Sequence, residues 1–381
     1  MMNKIVINLI VGACLLLSFL IFINSKRYNR RGNLWLSCFV FCLFLLNIDE
    51  FLVFNNVLFF KNHNILLLSF SLFIVAPIFS FSIIYFINPT TKWRRIYNLH
   101  FIFGILFAIF SNSIVYFENH KMHIKNSEGS FQQWIITILI FVILPLQTIY
   151  YVGLSYYNIQ KHKKNINQFS SNTNDINLKW LENILYFIAI LGILLIVDIA
   201  THRIDFLNLA LLLCIFYIGY YTIEQKEIFP FTTEKTEEII EIFVDNNIIN
   251  LEKKKLLTDD KFIEIKHKLI QIIEIDKVFL NAETNLIFLS NLMGVSTHIL
   301  SFVINQGFGE NFNQFINRYR IEEAKKMILD PKMNHLSISG IGFEVGFNSK
   351  SVFNSTFKNL VGCPPLQYKN QNLSVKIGAE L

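Results

Sequence analysis

Long apolar runs alternate with short polar segments along most of the chain. Seven such runs occur before residue 225, and the residues after them have the mixed polar and apolar composition of a soluble chain. Each run is close to the ~20 residues that an α-helix needs to cross the hydrocarbon core of a bilayer. The pattern therefore predicts an all-α protein with seven spans in residues 1–224, namely 5–23, 34–54, 65–87, 97–116, 134–156, 181–200 and 206–223.

The basic residues between the runs predict how these helices cross the membrane. One set of alternate loops holds eleven Lys and Arg, among them Lys26, Arg94 and Lys163, and the opposite set holds five. Because cytoplasmic loops carry the excess of Lys and Arg, the N-terminus is predicted outside. An odd number of spans then brings the C-terminal region into the cytoplasm, and the host is expected to be a bacterium. The tryptophans stand at the ends of runs, where an interfacial aromatic belt lies: Trp35, Trp93, Trp134 and Trp180.

The first run has two interpretations. Lys4, the apolar residues after it and the sequence Val-Gly-Ala-Cys ending at Cys14 resemble a lipoprotein signal peptide. The apolar run continues to Ile23, however, which favours a helix that is retained in the mature protein.

Composition supports a membrane protein and gives little sign of catalysis. The chain is 53% apolar and 16% charged, whereas an ordinary soluble domain is about 25% charged. The net charge of +6 is weak evidence for a nucleic-acid partner, since much of the excess lies in short loops between the runs. Motifs for phosphate, zinc or nucleophilic chemistry do not occur, so an enzyme, a cofactor and a metal site are not predicted.

Residues 225–279 are predicted to form a helical connector. Within it, residues 259–275 place apolar side chains at helical spacing, after Thr258 as a cap and Asp259 and Asp260 as first-turn acids. Two interpretations stay open for this amphipathic helix. It packs on the domain that follows, or it acts as a dimerising or signal-carrying helix.

A first helix-turn-helix pattern covers residues 286–306. Gly294 permits a tight turn, and Ser296 is suited to cap the second helix. Apolar residues at helical spacing predict the buried side: Leu286, Leu289, Leu292, Leu300, Val303 and Ile304. The polar and aromatic residues of the second helix are left on other faces, where a helix in the major groove meets bases and phosphates: His298, Ser301, Phe302 and Asn305.

A second pattern of the same kind covers residues 338–360. Its turn is predicted at Gly346, with Asn348 or Ser349 as the cap of the helix that follows. The predicted buried side consists of Ile338, Ile341, Val345, Phe353, Phe357 and Leu360. The residues left for DNA are Lys350, Ser351, Asn354, Ser355 and Lys358. A connecting helix over 311–329 presents one apolar side, from Phe312 to Ile328, and sets the distance between the two units.

These residues resemble the AraC/XylS family of transcription regulators. The resemblance rests on residues 296–309, on NRYRIEEAKKMIL at 317–329, on GFNSKSVFNSTFKNLVG at 346–362, and on Pro364, Pro365 and Tyr368. It covers about residues 283 to 369 and implies a DNA-binding domain over 280–370, followed by a tail at 371–381. The many spans before this domain resemble membrane-anchored regulators of the same family.

The chain also departs from the family pattern. Phe302 and Ser355 stand where the two recognition helices often carry Arg or another long polar side chain, so two usual base readers are missing. Phe302 either contacts a thymine methyl group or packs on a neighbouring helix. Gly342 replaces the usual Ala, and each Gly costs a helix about 1 kcal/mol relative to Ala.

Ionisable residues near the outer ends of the spans form a candidate ligand pocket. Asp49 and Glu50 lie toward the outer end of the second predicted span, and Asp198 and His202 lie near the outer end of the sixth. Charged groups are costly inside a bilayer and by default indicate a site, although solvated interfacial side chains are the simpler interpretation.

The sequence thus predicts a membrane-anchored transcription regulator that binds double-stranded DNA through two helix-turn-helix units. Its other partners are the lipid bilayer and, as open alternatives, a small-molecule ligand and a second copy of the chain. The competing hypothesis is a membrane receptor or transporter whose degenerate helix-turn-helix domain binds a protein. The missing arginines favour that alternative, whereas the intact layout of both units opposes it.

Overall fold

The structure is a computed structural model that describes residues 2–25, 29–56, 67–120, 131–173, 176–201, 205–225, 227–228, 235–237, 239 and 257–379. In these ranges the regular elements are helices, in agreement with the all-α prediction. The chain divides into two compact units. The first comprises Met1–Lys161 and Leu178–Pro230, and the second comprises His162–Asn177 and Phe231–Leu381.

Eight helices lie wholly or mostly in the first unit within the part of the chain that the structure describes. They are α1 (Met2–Asn24), α2 (Arg30–Phe54), α3 (Leu67–Ile87), α4 (Leu99–His120), α5 (Phe131–Ile138), α6 (Leu144–Ile166), α7 (Lys179–Thr201) and α8 (Asp205–Glu224). A π-helical segment, Leu139–Ile143, joins α5 to α6. It lies just before Pro145. Because proline has no backbone N–H to donate, prolines commonly accompany breaks in a regular helix.

Each of the seven predicted runs coincides with helical structure, but the number of spans is not confirmed. Four helices among the described residues are long and apolar enough to cross a bilayer: Asn3–Asn24, Arg30–Phe54, Leu139–Ile166 and Phe206–Glu224. Seven spans therefore stay a prediction.

Aromatic rings cluster in the first unit beside a basic side chain. Trp35 and Trp93 stack with their ring centroids 5.5 Å apart. Arg31 donates from Nη1 to the carbonyl oxygens of Pro89 and Thr91, at 3.1 and 2.9 Å. Its guanidinium also lies 5.8 Å from the ring centroid of Tyr85. Rings and basic groups so arranged are typical of a membrane–water interface.

The second unit contains the double helix-turn-helix pattern. Its described helices are α9 (Asp259–Ile275), α10 (Leu286–Met293), α11 (Thr297–Phe308), α12 (Phe312–Leu329), α13 (Ile338–Glu344), α14 (Lys350–Val361) and α15 (Pro365–Ala379). Short 3₁₀ helices, Val278–Leu280 and Pro331–Met333, lie before α10 and after α12. Helix α12 packs against α11, α13, α14 and α15, so it is the central element of this unit.

The amphipathic helix predicted over 259–275 is observed as α9. Leu269 and Ile273 are buried, and the helix contacts α11. Of the two interpretations of its sequence, packing on the domain is the one observed. Thr258 stands at the N-cap position without a side-chain cap hydrogen bond, while Asp259 and Asp260 occupy the first turn as predicted.

Candidate nucleic-acid interface

Side-chain caps and a left-handed glycine shape the first helix-turn-helix unit. The Asn285 side chain accepts a hydrogen bond from the Phe288 amide at 2.9 Å and begins α10. Gly294 ends that helix with φ 70°, a conformation that L side chains rarely adopt. Ser296 then accepts from the Ile299 amide and begins α11. The predictions of the turn at Gly294 and the cap at Ser296 are confirmed.

The prediction of the buried stripe in α10 is wrong at one residue. Leu286 and Leu289 are fully buried, but Leu292 is 49% exposed. Met293 occupies the core in its place. The reason is helical geometry. Residue 293 lies on the same face of the helix as Leu286 and Leu289, at the spacing i, i+3, i+7, whereas residue 292 is rotated about a quarter turn around the helix axis from residue 293. The inward residues predicted in α11, Leu300, Val303 and Ile304, are buried.

The four predicted DNA-facing residues of α11 differ in exposure. His298 and Asn305 are half-buried. Ser301 is only 8% exposed, since it borders the buried stripe beside Thr297 and Ile304, so the expectation that it lies on an open face is not met. The Phe302 ring lies edge-on to Phe262 of α9, with centroids 6.1 Å apart. Packing on a neighbouring helix is therefore the role observed for Phe302.

Two lysines of α9 cap the carbonyl ends of the first unit, a role that the sequence pattern does not reveal. Lys266 donates from Nζ to the Gly307 carbonyl at 2.8 Å, near the end of α11, and lies 4.9 Å from the Phe308 ring centroid. Lys268 donates to the Met293 carbonyl at 2.9 Å, at the end of α10. Positive charge at a helix C-terminus stabilises the helix dipole.

The second unit turns at a glycine that has no room for a side chain. Gly346 has φ 96°, and a Cβ atom there would lie 2.7 Å from the Leu280 carbonyl oxygen. Gly342 is also crowded, because its Cβ would lie 2.7 Å from Phe353 Cδ1. The departure from the family's usual Ala is thus explained by the bulky ring that packs on this position.

The second recognition helix, α14, has a sharply divided surface. Phe353 and Phe357 are fully buried, whereas Lys350, Ser351, Ser355 and Lys358 are exposed and Asn354 is half-buried. Leu360 is 54% exposed, so its predicted place in the core is wrong, and Val361 packs against the core in its place. Ser349 stands at the N-cap, but without a cap hydrogen bond; its hydroxyl lies 2.8 Å from that of Ser351.

The connecting helix begins with a reciprocal cap and contains a buried cation. Asn311 and Gln314 form a capping box at the start of α12. Arg320 is completely buried and donates from Nε to the Phe279 carbonyl at 2.7 Å and from Nη2 to the Asn281 carbonyl at 2.9 Å. Desolvation lowers its pKa to about 10, so it stays charged at neutral pH. The apolar side predicted for α12 did not include Arg320, because apolar periodicity does not reveal a buried cation.

Only some of the residues predicted to form a ligand pocket in the membrane region lie in the part of the chain that the structure describes. Asp49 and Glu50 are half-buried in α2. Asp198 belongs to α7, but its side chain lies outside the described residues, as does His202 altogether. Whether the four residues share a pocket therefore stays a prediction. Among the side chains that are described, no group of three or more His, Cys, Asp or Glu could hold a metal ion.

Two helix-turn-helix units joined by one central helix give this unit the layout of a bipartite helix-turn-helix domain. Residues 289–371 match a family described as a helix-turn-helix domain. The chain is also similar to proteins named uncharacterized HTH-type transcriptional regulator in Staphylococcus aureus. The relatives of strains COL and N315 are 29% identical over 122 residues, which is 32% of this chain and 15% of theirs.

The chain therefore spans about 15% of the length of these curated relatives. No solved structure is significantly similar to it. The predicted AraC-type helix-turn-helix domain is confirmed for residues 289–371.

Proposed function

We propose that this chain is a membrane-anchored bacterial transcription regulator that reads double-stranded DNA through both helix-turn-helix units. The observation that carries the proposal is the exposed face of α14. Lys350, Ser351, Ser355 and Lys358 point to solvent from a helix whose opposite side is locked by the buried rings of Phe353 and Phe357. A rigid polar helix face with two cations matches the chemistry of a major groove flanked by phosphates.

The two recognition helices are expected to contribute unequally. Helix α14 carries two lysines and no acidic residue, while α11 carries neither Lys nor Arg. Phe302 and Ser301 of α11 are also occupied by packing. Phosphate contacts supply much of the affinity for DNA, so α14 is proposed as the anchor and α11 as a weaker second contact through His298 and Asn305.

The test is DNA binding by the full chain in lipid nanodiscs at several salt concentrations. Sheared genomic DNA of the host serves as the probe. Lys350→Ala or Lys358→Ala should weaken binding to all sequences and reduce the salt slope by about one unit each, because each removes one phosphate contact. Lys325→Ala is the matched control, since Lys325 lies on α12 and already pairs with Glu322 at 3.0 Å.

A binding curve that is the same for the lysine variants and the control would remove α14 from the interface. Absence of binding even at low salt would instead favour the alternative, a receptor whose helix-turn-helix domain binds a protein. One observation favours that alternative: Phe288 and Leu292, one turn apart on α10, are 42% and 49% exposed. Adjacent exposed apolar groups of this size are common in protein interfaces.

The membrane region has a proposed role of its own. The seven predicted spans are proposed to act as sensor or anchor, with Asp49, Glu50, Asp198 and His202 as the candidate pocket on the outer side. Support comes from the cost of placing carboxylates within a membrane. An outer pocket requires the proposed topology, so reporter fusions that test the topology also test the pocket.

A further inference from the structure

The loop between α6 and α7 lies in the same compact unit as the helix-turn-helix helices. At its base, His162 Nε2 lies 2.8 Å from the Ile176 carbonyl oxygen, so the loop is closed by its own hydrogen bond. Phe169 and Ser171, in the middle of the loop, are each only 2% exposed. A surface loop is normally solvated, and this degree of burial indicates a docked segment. We refer to residues 167–171 as the docking loop.

The docking loop first contacts the beginning of α10. The Phe169 carbonyl accepts a hydrogen bond from the Leu286 amide at 2.8 Å. Ser170 forms an isolated antiparallel bridge with Asn285, the N-cap residue of α10. The first amides of a helix have no partner within the helix, and here the loop backbone supplies one.

The same loop contacts the beginning of α12. The Asn167 carbonyl accepts from the Asn313 amide at 2.9 Å. The Asn313 side chain donates from Nδ2 to the carbonyl oxygens of Ser170 and Ser171, at 3.1 and 2.9 Å. One short segment therefore bridges the N-terminus of the first helix-turn-helix unit and that of the connecting helix.

A buried side-chain network secures the end of the docking loop. The Ser171 hydroxyl donates to the Thr284 carbonyl at 2.6 Å and accepts from Arg320 Nη2 at 3.1 Å. The Arg320 guanidinium also lies 5.5 Å from the ring centroid of Phe347, beside the turn of the second unit. The loop thus shares one buried cation with the segment that precedes α10 and with the turn of the second helix-turn-helix unit.

We propose that the docking loop is an internal ligand of the DNA-binding domain and sets the orientation of the first helix-turn-helix unit against α12. Its partner surface consists of the N-termini of α10 and α12 with Arg320. The docking loop directly follows the last turn of α6, which belongs to the same unit, so a change in that turn reaches the domain through this contact. This inference rests on the proposed function, because it assigns the loop a role in DNA affinity.

The experiment measures hydrogen exchange and DNA binding on the full chain in nanodiscs. Phe169→Ala removes a buried side chain of the docking loop itself. Asn313→Ala removes the side chain on the domain that donates to the loop carbonyls. Thr173→Ala is the control: it is in the same loop, outside the docking residues, and it keeps the backbone carbonyl that accepts from Ile176. Amides of Leu286 and Asn313 should be protected in the parent and in the control, and should exchange at least about tenfold faster in both undocking variants.

DNA affinity should fall about threefold or more in both undocking variants and stay at the parent value in Thr173→Ala. The probe is a labelled duplex selected from sheared genomic DNA. Rapid exchange at Leu286 and Asn313 in the parent would overturn the docking. Lost protection with unchanged DNA affinity would overturn the coupling while leaving the proposed function intact. A third outcome is that the amides are protected in the parent and exchange faster in both variants, but the parent binds no DNA. That outcome would refute the proposed function and leave the docked loop intact.

Discussion

Gly342 and Gly346 are the two most crowded glycines of the second helix-turn-helix unit. At each position an ideal Cβ atom would lie less than 3.0 Å from its neighbours. These are the Phe353 ring at Gly342 and the carbonyl oxygens of Phe279 and Leu280 at Gly346. A flexible ring can shift, whereas a backbone carbonyl that also accepts from Arg320 cannot do so without breaking that hydrogen bond. The stricter constraint is therefore at Gly346.

Gly346→Ala is expected to lower the free energy of unfolding of the second unit by about 3 kcal/mol. The cost combines overpacking with a left-handed backbone conformation. Pulse proteolysis in urea measures it on the full chain. Gly362→Ala is the control, because Gly362 has φ 89° and nothing within 4 Å of its Cβ position. It should cost only about 1 kcal/mol, and equal losses at both glycines would mean that steric crowding plays no part.

Asn354 is the candidate base reader of α14. Its amide can pair with both hydrogen-bonding groups of adenine in the major groove, and the residue is half-buried between the exposed Ser351 and Lys358. Asn354→Ala should therefore change the preference at one base position by about 1 to 3 kcal/mol while leaving the salt slope unchanged. Binding selections on randomised duplexes measure this preference. A uniform loss on every sequence would show that Asn354 is not a reader.

At the scale of the element, the ends of helices are where this domain is held together. Asn285, Ser296 and Asn311 cap their own helices through side chains three residues from the amides they bind. Lys266 and Lys268 cap the carbonyl ends of other helices from α9. The first kind is local and follows a sequence rule. The second depends on how α9 crosses the first unit.

Lys266→Ala should lower the free energy of unfolding of the second unit by about 1 kcal/mol. It removes a charged hydrogen bond to Gly307 at the end of α11 and the contact with the Phe308 ring. Urea unfolding of the full chain, followed by pulse proteolysis, gives the value. Lys261→Ala on the same helix is the control: Lys261 is exposed near the N-terminus of α9, where a positive charge does not help the dipole. A loss in the control as large as that of Lys266→Ala would contradict the capping role.

At the scale of the whole molecule, the mechanism requires that DNA and the second unit share a compartment. Reporter fusions after Ile23, Pro89, Asn167 and Phe231 should report the cytoplasm, and fusions near Asn56 and Glu128 should report the outside, because the Lys-rich loops stay inside. An outside signal at Phe231 would eliminate the link from membrane to DNA. An inside signal near Asn56 would eliminate the proposed outer pocket, since Asp49 and Glu50 would then face the wrong side.

The sequence by itself determined what depends on neighbours in the chain. Helix positions follow from apolar periodicity, the turns at Gly294 and Gly346 from the need for a left-handed residue, and the cap at Ser296 from its distance to Ile299. The buried rings of Phe353 and Phe357 follow from the same periodicity. These features require only a few residues and elementary geometry, which is why they were predictable.

Tertiary structure alone decided which side chains meet across long separations. Leu360 lies at the edge of its apolar stripe, and the packing of neighbouring helices leaves it exposed while Val361 contacts the core. Phe302 packs against Phe262, because α9 contacts α11, the helix that carries Phe302. The burial of Arg320 and the docking of residues 167–171 join parts of the chain about 150 positions apart, as the separation of Arg320 and Ser171 shows. No periodicity encodes such a contact, since it exists only once the helices are packed.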